Sequence, residues 1–201
     1  MSGLYEHLRY YGVSERVINA MNMVDRKLFV PEEFAESAYL DVPLPIGHGQ
    51  TISAPHMVGI MCQKLELSEG QKVLEIGTGS GYNAAVLSVL VGQTGKVYTV
   101  EIVPELAEKA IERFKLLGIE NVYVFVGDGK EGLPAFAPYD RIVATCYAKR
   151  IPPPLIEQLS EGGILLIPVG NEYAQTLKKV VKTNAGIEEF SITSVRFVPM
   201  V

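Results

Sequence analysis

Cysteine is scarce: Cys62 and Cys146 are the only two in 201 residues. They are far apart and lack the paired spacing of a zinc site or redox motif, and a chain of this length folds without a disulfide framework. Both are read as reduced thiols. His48 and His56 straddle an expected strand-to-helix junction with no further ligand set of zinc spacing, so no metal is expected. Long apolar runs are missing as well. The stretch 163–170 is interrupted by Pro168 and falls far short of the ~20 residues that cross a bilayer. Residues 1–17 carry Glu6, Arg9, Glu15 and Arg16 at intervals, with no signal-peptide core. The expectation is a cytoplasmic chain with no membrane partner. Positive charge is also in deficit, since 18 Lys and Arg against 23 Asp and Glu leave a net charge of -5 and a pI near 5.3. That sign opposes a non-specific grip on phosphate backbones, so nucleic acid is not an expected partner. No internal repeat or low-complexity segment occurs.

What is present is the balance of one globular domain, 48% hydrophobic and 20% charged, long enough to bury roughly two-thirds of its unfolded surface. We read 1–201 as one domain, with a helix and substrate-side arm over 1–54, an α/β core over 55–170 and C-terminal strands over 171–201. A monomer is the default. Ser14, placed as an N-cap before Val17, Met21 and Val24 at helical spacing, predicts a helix. Pro31, Pro43, Pro45, Gly47 and Gly49 punctuate 29–53 into an arm or lid. Helices are expected at 55–67, 80–91, 104–117 and 152–159, and strands at 72–76, 96–102, 121–126, 139–145 and 164–169. The tail, 176–182 and 192–198, reads as an antiparallel pair. Such alternation gives an α/β fold, a mostly parallel sheet with helices on both faces and its ligand at the carboxyl ends of the strands.

Three candidate elements fall at those ends. Gly77, Gly79 and Gly81 follow the first core strand in Glu75-Ile76-Gly77-Thr78-Gly79-Ser80-Gly81-Tyr82. The G-x-G-x-x-G dinucleotide fingerprint is not met, because Tyr82 fills its third slot, so a pyrophosphate ligand and a nicotinamide dehydrogenase are disfavoured. Glycines there let a ligand press against the turn, and the Glu75 carboxylate beside it suits a sulfonium or ammonium group, as in S-adenosylmethionine. Glu101, ending the second strand before Ile102, can accept from both hydroxyls of a ribose; Asp128, before Gly129, can accept from the adenine amine. Singly, each also fits a tight turn, a solvated strand end or a turn former. In order at successive strand ends they form an adenosyl site.

The loop Glu75-x-Gly77-x-Gly79-x-Gly81 resembles the first motif of class I S-adenosylmethionine-dependent methyltransferases, which implies their Rossmann-like fold. Further stretches, Asp25-Arg26-Lys27-Leu28-Phe29-Val30-Pro31, Ala38-Tyr39-Leu40-Asp41, Pro43-Leu44-Pro45-Ile46-Gly47, Gly49-Gln50-Thr51-Ile52-Ser53-Ala54-Pro55-His56-Met57 and Ala137-Pro138-Tyr139-Asp140, resemble the protein-L-isoaspartate O-methyltransferases. The likeness spans about 24–170 and returns weakly at 195–199. It implies methyl transfer to the free α-carboxylate of L-isoaspartyl residues in damaged proteins and peptides, then closure of the ester to a succinimide and partial return to aspartyl. It also implies cofactor contacts from Thr78, Ser80, Ile102, Gly129 and His56, besides the residues above, and S-adenosylhomocysteine as product. Ser53 would donate to the acceptor carboxylate, helped by Gln50, Thr51 and Ile52; its other reading is a helix N-cap. Val30 and Tyr39, with Phe29 and Ala38, would line the lid, and 44–46 would offer an edge to a peptide strand.

A carboxylate is already ionised at neutral pH, with a pKa of about 4, so the displacement needs positioning and hydrogen-bond donors rather than a general base. The sequence departs from the family pattern at Thr145-Cys146-Tyr147-Ala148-Lys149-Arg150, a loop expected on the substrate side, where small residues and then an acid are usual; Gln175 is read as approaching the cofactor or substrate from the tail. The alternatives are a methyltransferase of related fold acting on RNA, which would need a basic face, and a non-catalytic module binding cofactor and altered peptides.

Overall fold

The computed structural model describes residues 2–201. Its centre is a seven-stranded sheet in the order β5-β4-β3-β6-β7-β8-β9, with a separate two-stranded hairpin, β1-β2. The hairpin strands are β1 (Leu44–Gly47) and β2 (Gln50–Ile52). The main sheet comprises β3 (Lys72–Ile76), β4 (Lys96–Glu101), β5 (Val122–Val126), β6 (Tyr139–Ala144), β7 (Leu159–Gly170), β8 (Gln175–Thr183) and β9 (Gly186–Val195). Strands β3 to β7 pair in parallel, and β8 and β9 add antiparallel to β7. The helices are α1 (Ser2–Tyr10), α2 (Glu15–Met23), α3 (Pro55–Leu65), α4 (Tyr82–Val91), α5 (Pro104–Leu116) and α6 (Pro153–Glu157).

Alternation along the parallel strands separates two apolar layers. Val73, Val97 and Val143 face a layer shared with Leu8, Ile18, Met61, Leu87, Ala110 and Phe114, from α1 through α5. Leu74, Tyr98 and Ile142 face the other, closed by Leu155 of α6 and by the ring of Phe136, which stacks on Tyr98 at 4.6 Å. One face therefore carries five helices and the other one short helix with two 3-10 turns. Because both faces are covered, β3 and β4 are buried almost throughout, as parallel strands are.

Local signals fixed most element ends. Pro104 opens α5 and Gly118, at φ +66°, follows it. Several expectations need correction. Ser14 stands at the N-cap of α2 but its side chain caps nothing; its backbone N–H donates to Gln63 instead, at 3.0 Å. The helix expected over 152–159 stops at Glu157, because Leu159 already belongs to β7. The last strand covers Gly186–Val195 rather than 192–198. Its side chains are almost all exposed, so it carries no buried face for a pattern to register.

Strands β3, β4 and β5 run outward in one direction and β6 to β9 in the other, so the order reverses between β3 and β6. The loops after these two strands face each other at the switch point where α/β sheets hold ligands.

Candidate active site

The loop after β3 is held by the protein itself. Gly77 N–H donates to Val100 O at 2.8 Å, Gly79 N–H to Glu101 Oε2 at 2.8 Å, and Gly81 N–H to Thr78 O at 2.9 Å. Arg113 of α5 donates to Ser80 O at 2.6 Å, and Thr78 and Thr99 share a hydroxyl bond of 2.7 Å. Across the switch point, Thr145 Oγ1 donates to Gly77 O at 2.7 Å. At Gly77, φ is +93° and a Cβ would overlap that hydroxyl; at Gly81 a Cβ would come within 2.7 Å of the Phe114 ring. Of the three glycines, only Gly79 has room for a Cβ, which would meet Ile46 Cδ1 of the hairpin at an ordinary 3.4 Å. The spacing thus serves internal packing as much as access for a ligand.

Glu75 lies where the sequence did not put it. The side chain is fully buried beneath the loop, accepting from Asn83 Nδ2 at 2.8 Å and Thr99 Oγ1 at 2.6 Å, and it lines none of the clefts at this edge. Burial pushes its carboxyl up to about 7, against the opposing pull of those two hydrogen bonds. A central parallel strand is inside on both faces, so its polar residue finds partners in the interior.

Glu101 does reach the ligand edge. Its oxygens accept from Gly79 N–H and, at 3.0 Å, Val103 N–H. A carboxylate has about four lone-pair sites, so two remain for hydroxyl donors. It lines a cleft with Gln50, Thr51, Gly77, Gly79, Ile102, Gly129, Thr145 and the tail residues Val198 to Val201. Ile102 is 41% exposed there and supplies an apolar ledge. Gly129 is required because a Cβ would collide with Ile76. Asp128 is exposed and accepts from Lys130 N–H at 2.8 Å, shaping the turn that presents Gly129. A pair of hydroxyl acceptors, an apolar ledge and a Cβ-free floor fit the adenosyl part of S-adenosylmethionine. We call this the donor cleft.

A second cleft of about 470 Å³ adjoins it, sharing Thr51, Thr145 and Val198, and lined further by Ser53, His56, Phe197 and Arg196. We call this the acceptor cleft. Ser53 follows β2 and precedes α3, whose N-cap is Ala54 and whose first residue is Pro55. Ser53 is therefore not the cap, and its half-buried hydroxyl has no hydrogen-bond partner among the described residues. Ser53, Thr51 and Ile52 also line a smaller recess against Thr78, Gly79 and Ser80, which brings the hydroxyl to the glycine loop. His56 faces the acceptor cleft and not the donor cleft. Its ring is fixed by Asp41, bonded to Nδ1 at 2.8 Å and to the His56 backbone N–H at 2.9 Å, and is stacked on Tyr11.

The lid residues lie elsewhere. Val30 is buried in the core, Tyr39 donates to Asp25 at 2.5 Å, and neither lines the three clefts. Lys149 and Arg150 are exposed around a separate cleft with Pro152 and Pro153. The loop from Thr145 was expected on the substrate side, and Thr145 does line the clefts; sequence reasoning missed Arg196 and the tail from Val198 onward as wall residues, for which the faint family likeness at 195–199 was the one signal. Among the described residues, no cluster of three His, Cys, Asp or Glu side chains could hold a metal, and no helix is long and apolar enough to cross a membrane.

Comparison with known proteins identifies the family and the fold. The model of the family "Protein-L-isoaspartate(D-aspartate) O-methyltransferase" matches residues 1–201. A protein-L-isoaspartate O-methyltransferase of Fervidobacterium nodosum is 65% identical over 98% of this chain and 99% of its own. Among solved structures, one titled a protein-L-isoaspartate O-methyltransferase superposes with a TM-score of 0.91 at 33% identity, covering 98% of this chain and 65% of that longer one. A second, a Plasmodium falciparum protein titled as a putative protein-L-isoaspartate O-methyltransferase in complex with S-adenosyl-L-homocysteine, gives 0.87 at 28% identity over 99% and 97%. The chain belongs to the protein-L-isoaspartate(D-aspartate) O-methyltransferase family.

Proposed function

We propose that this chain methylates the free α-carboxylate of L-isoaspartyl residues in damaged proteins and peptides, in the cytoplasm, with S-adenosylmethionine as donor. The observation that carries the reading is the unpartnered Ser53 hydroxyl, set between the recess beside the glycine loop and the larger acceptor cleft. When bound, S-adenosylmethionine supplies a methyl group on a sulfonium, whose S–C bond breaks with its electron pair left on sulfur.

Glu101 would accept from the ribose hydroxyls, Ile102 and Gly129 would hold the adenosyl part, and the glycine loop would border the donor along Gly77 and Gly79. Asp128 shapes the adenine end of this cleft by holding its turn. Glu75 acts from below by bonding Asn83 and Thr99, which keeps the loop in place. In the acceptor cleft Ser53 would donate to one carboxylate oxygen while the other forms the new O–C bond; Thr51 borders both clefts, and Gln50 stands on the donor side of that boundary. Ile52, buried behind them, sets the height of the strand. No proton has to move, because the acceptor is ionised at neutral pH. Rate enhancement comes from alignment, which can supply several kcal/mol by making the encounter effectively intramolecular.

The test uses S-adenosylmethionine carrying a labelled methyl group and matched peptides that differ only in Asp or isoAsp. Base-labile label is expected on the isoAsp peptide alone. Equal labelling of both, or of neither, would overturn the assignment.

A further inference from the structure

Strands β8 and β9 pair as far as Gln175 opposite Val195, with one shift of register between Leu177 and Lys178. Beyond that pair the main chain leaves the ladder and crosses the carboxyl edge of the parallel strands. There it becomes a wall of both clefts: Ser194 to Val198 line the acceptor side and Val198 to Val201 the donor side. A segment outside the sheet needs other bonds to keep one position, and two sets are present. Val198 O accepts from Tyr147 N–H and Met200 N–H donates to Tyr147 O, both at 2.8 Å.

The second set comes from the Gln175 side chain, which is 5% exposed. Its Oε1 accepts from Phe197 N–H at 2.7 Å, and its Nε2 donates to Phe197 O at 3.1 Å and to Asn171 O at 3.2 Å. A primary amide has one acceptor oxygen and two donor hydrogens, and here the oxygen and both hydrogens are engaged. By meeting both backbone groups of one residue it continues the ladder where the main chain has stopped. An apolar residue of similar size would fill the space but strand the two Phe197 groups, which is costly in a site sheltered from water. Gln175 itself lines neither cleft.

Resting on the function proposed above, we infer that Gln175 is a positioning residue for both substrates: it holds the segment from Arg196 to Val198, which walls the acceptor cleft and whose Val198 borders the donor cleft as well, so affinity for donor and acceptor depends on a side chain touching neither.

The experiment compares the full chain with Gln175→Ala and Gln175→Glu. Glu keeps an acceptor for Phe197 N–H but sets a carboxylate against two carbonyl oxygens, so it should be impaired at least as much as Ala despite its matching shape. In both variants the Kd for S-adenosylmethionine and the KM for an isoaspartyl peptide should each rise about 10-fold, with kcat at saturation within about 3-fold. Hydrogen exchange at the Phe197 amide should quicken about 10-fold while Leu177 and Val180 in β8 stay protected. A role in stability alone would lower the folded fraction with Kd and KM unchanged, and that result would overturn the proposal. So would unchanged Phe197 exchange in the folded Gln175→Ala variant, which has no acceptor for that amide. The donor-binding and exchange arms need no acceptor, so they decide the matter even if the isoaspartyl reading fails.

Discussion

The two clefts at the edge of the sheet are furnished in opposite ways. On the donor side almost every polar group already has a protein partner: Glu101 with Gly79 and Val103, Thr145 with Gly77, and Thr78 with Thr99 above the buried Glu75. On the acceptor side Asp41 holds His56 and Thr145 is shared, but the Ser53 hydroxyl has no partner among the described residues. A ligand that is the same in every turnover can meet a rigid, pre-paired surface and use the lone pairs left over. A peptide that differs each time is better met by a few free donors beside an open groove. The rigid side has little tolerance for added volume, and the open side little redundancy of function.

The largest effect should come from filling the rigid side. Gly77→Ala would place a methyl on the Thr145 hydroxyl at a backbone angle that disfavours side chains. Donor affinity should fall about 100-fold or more by calorimetry, with a loss of stability of about 1–3 kcal/mol. Near-native binding would mean that the loop is looser than its hydrogen bonds indicate. A smaller effect, visible in stability alone, concerns Glu75. Burial raises its carboxyl from 4.5 to about 7, so the folded chain holds a proton that the unfolded chain releases. That contribution is full below the unfolded value and is lost as pH rises through about 7. Glu75→Gln, which keeps an acceptor for Asn83, should therefore melt higher than the parent at pH 8, by about 5 °C, with the gap closing toward pH 4. A gap independent of pH would mean that the carboxyl is ionised throughout.

What was legible in the sequence was what local chemistry enforces. A short apolar strand followed by alternate glycines can do little but turn sharply, and Glu101 at a strand end had to lie at the sheet edge. Glu75 was misplaced because a strand covered on both faces has no polar side to give its direction. Ser53 was open to two readings, and the first turn of α3 separates them only once Ala54 is seen to stand at its cap. The first helix, α1, went unremarked in a stretch rich in tyrosine. Val30 and Tyr39 sit on an arm whose path is set by contacts such as Tyr39 with Asp25, which spacing alone does not encode. The wall formed by Arg196 to Val201 was hidden for a related reason. Its apolar residues imitate a strand, whereas their place depends on Gln175, some twenty residues earlier.

The division between the clefts is tested most directly by Ser53→Ala, measured twice on the same preparation. The account predicts a Kd for S-adenosylmethionine within about 2-fold of the parent, and turnover of an isoaspartyl peptide reduced about 10- to 100-fold, as expected for a lost hydrogen bond to a charged group. Undiminished turnover, or a loss confined to donor affinity, would contradict it.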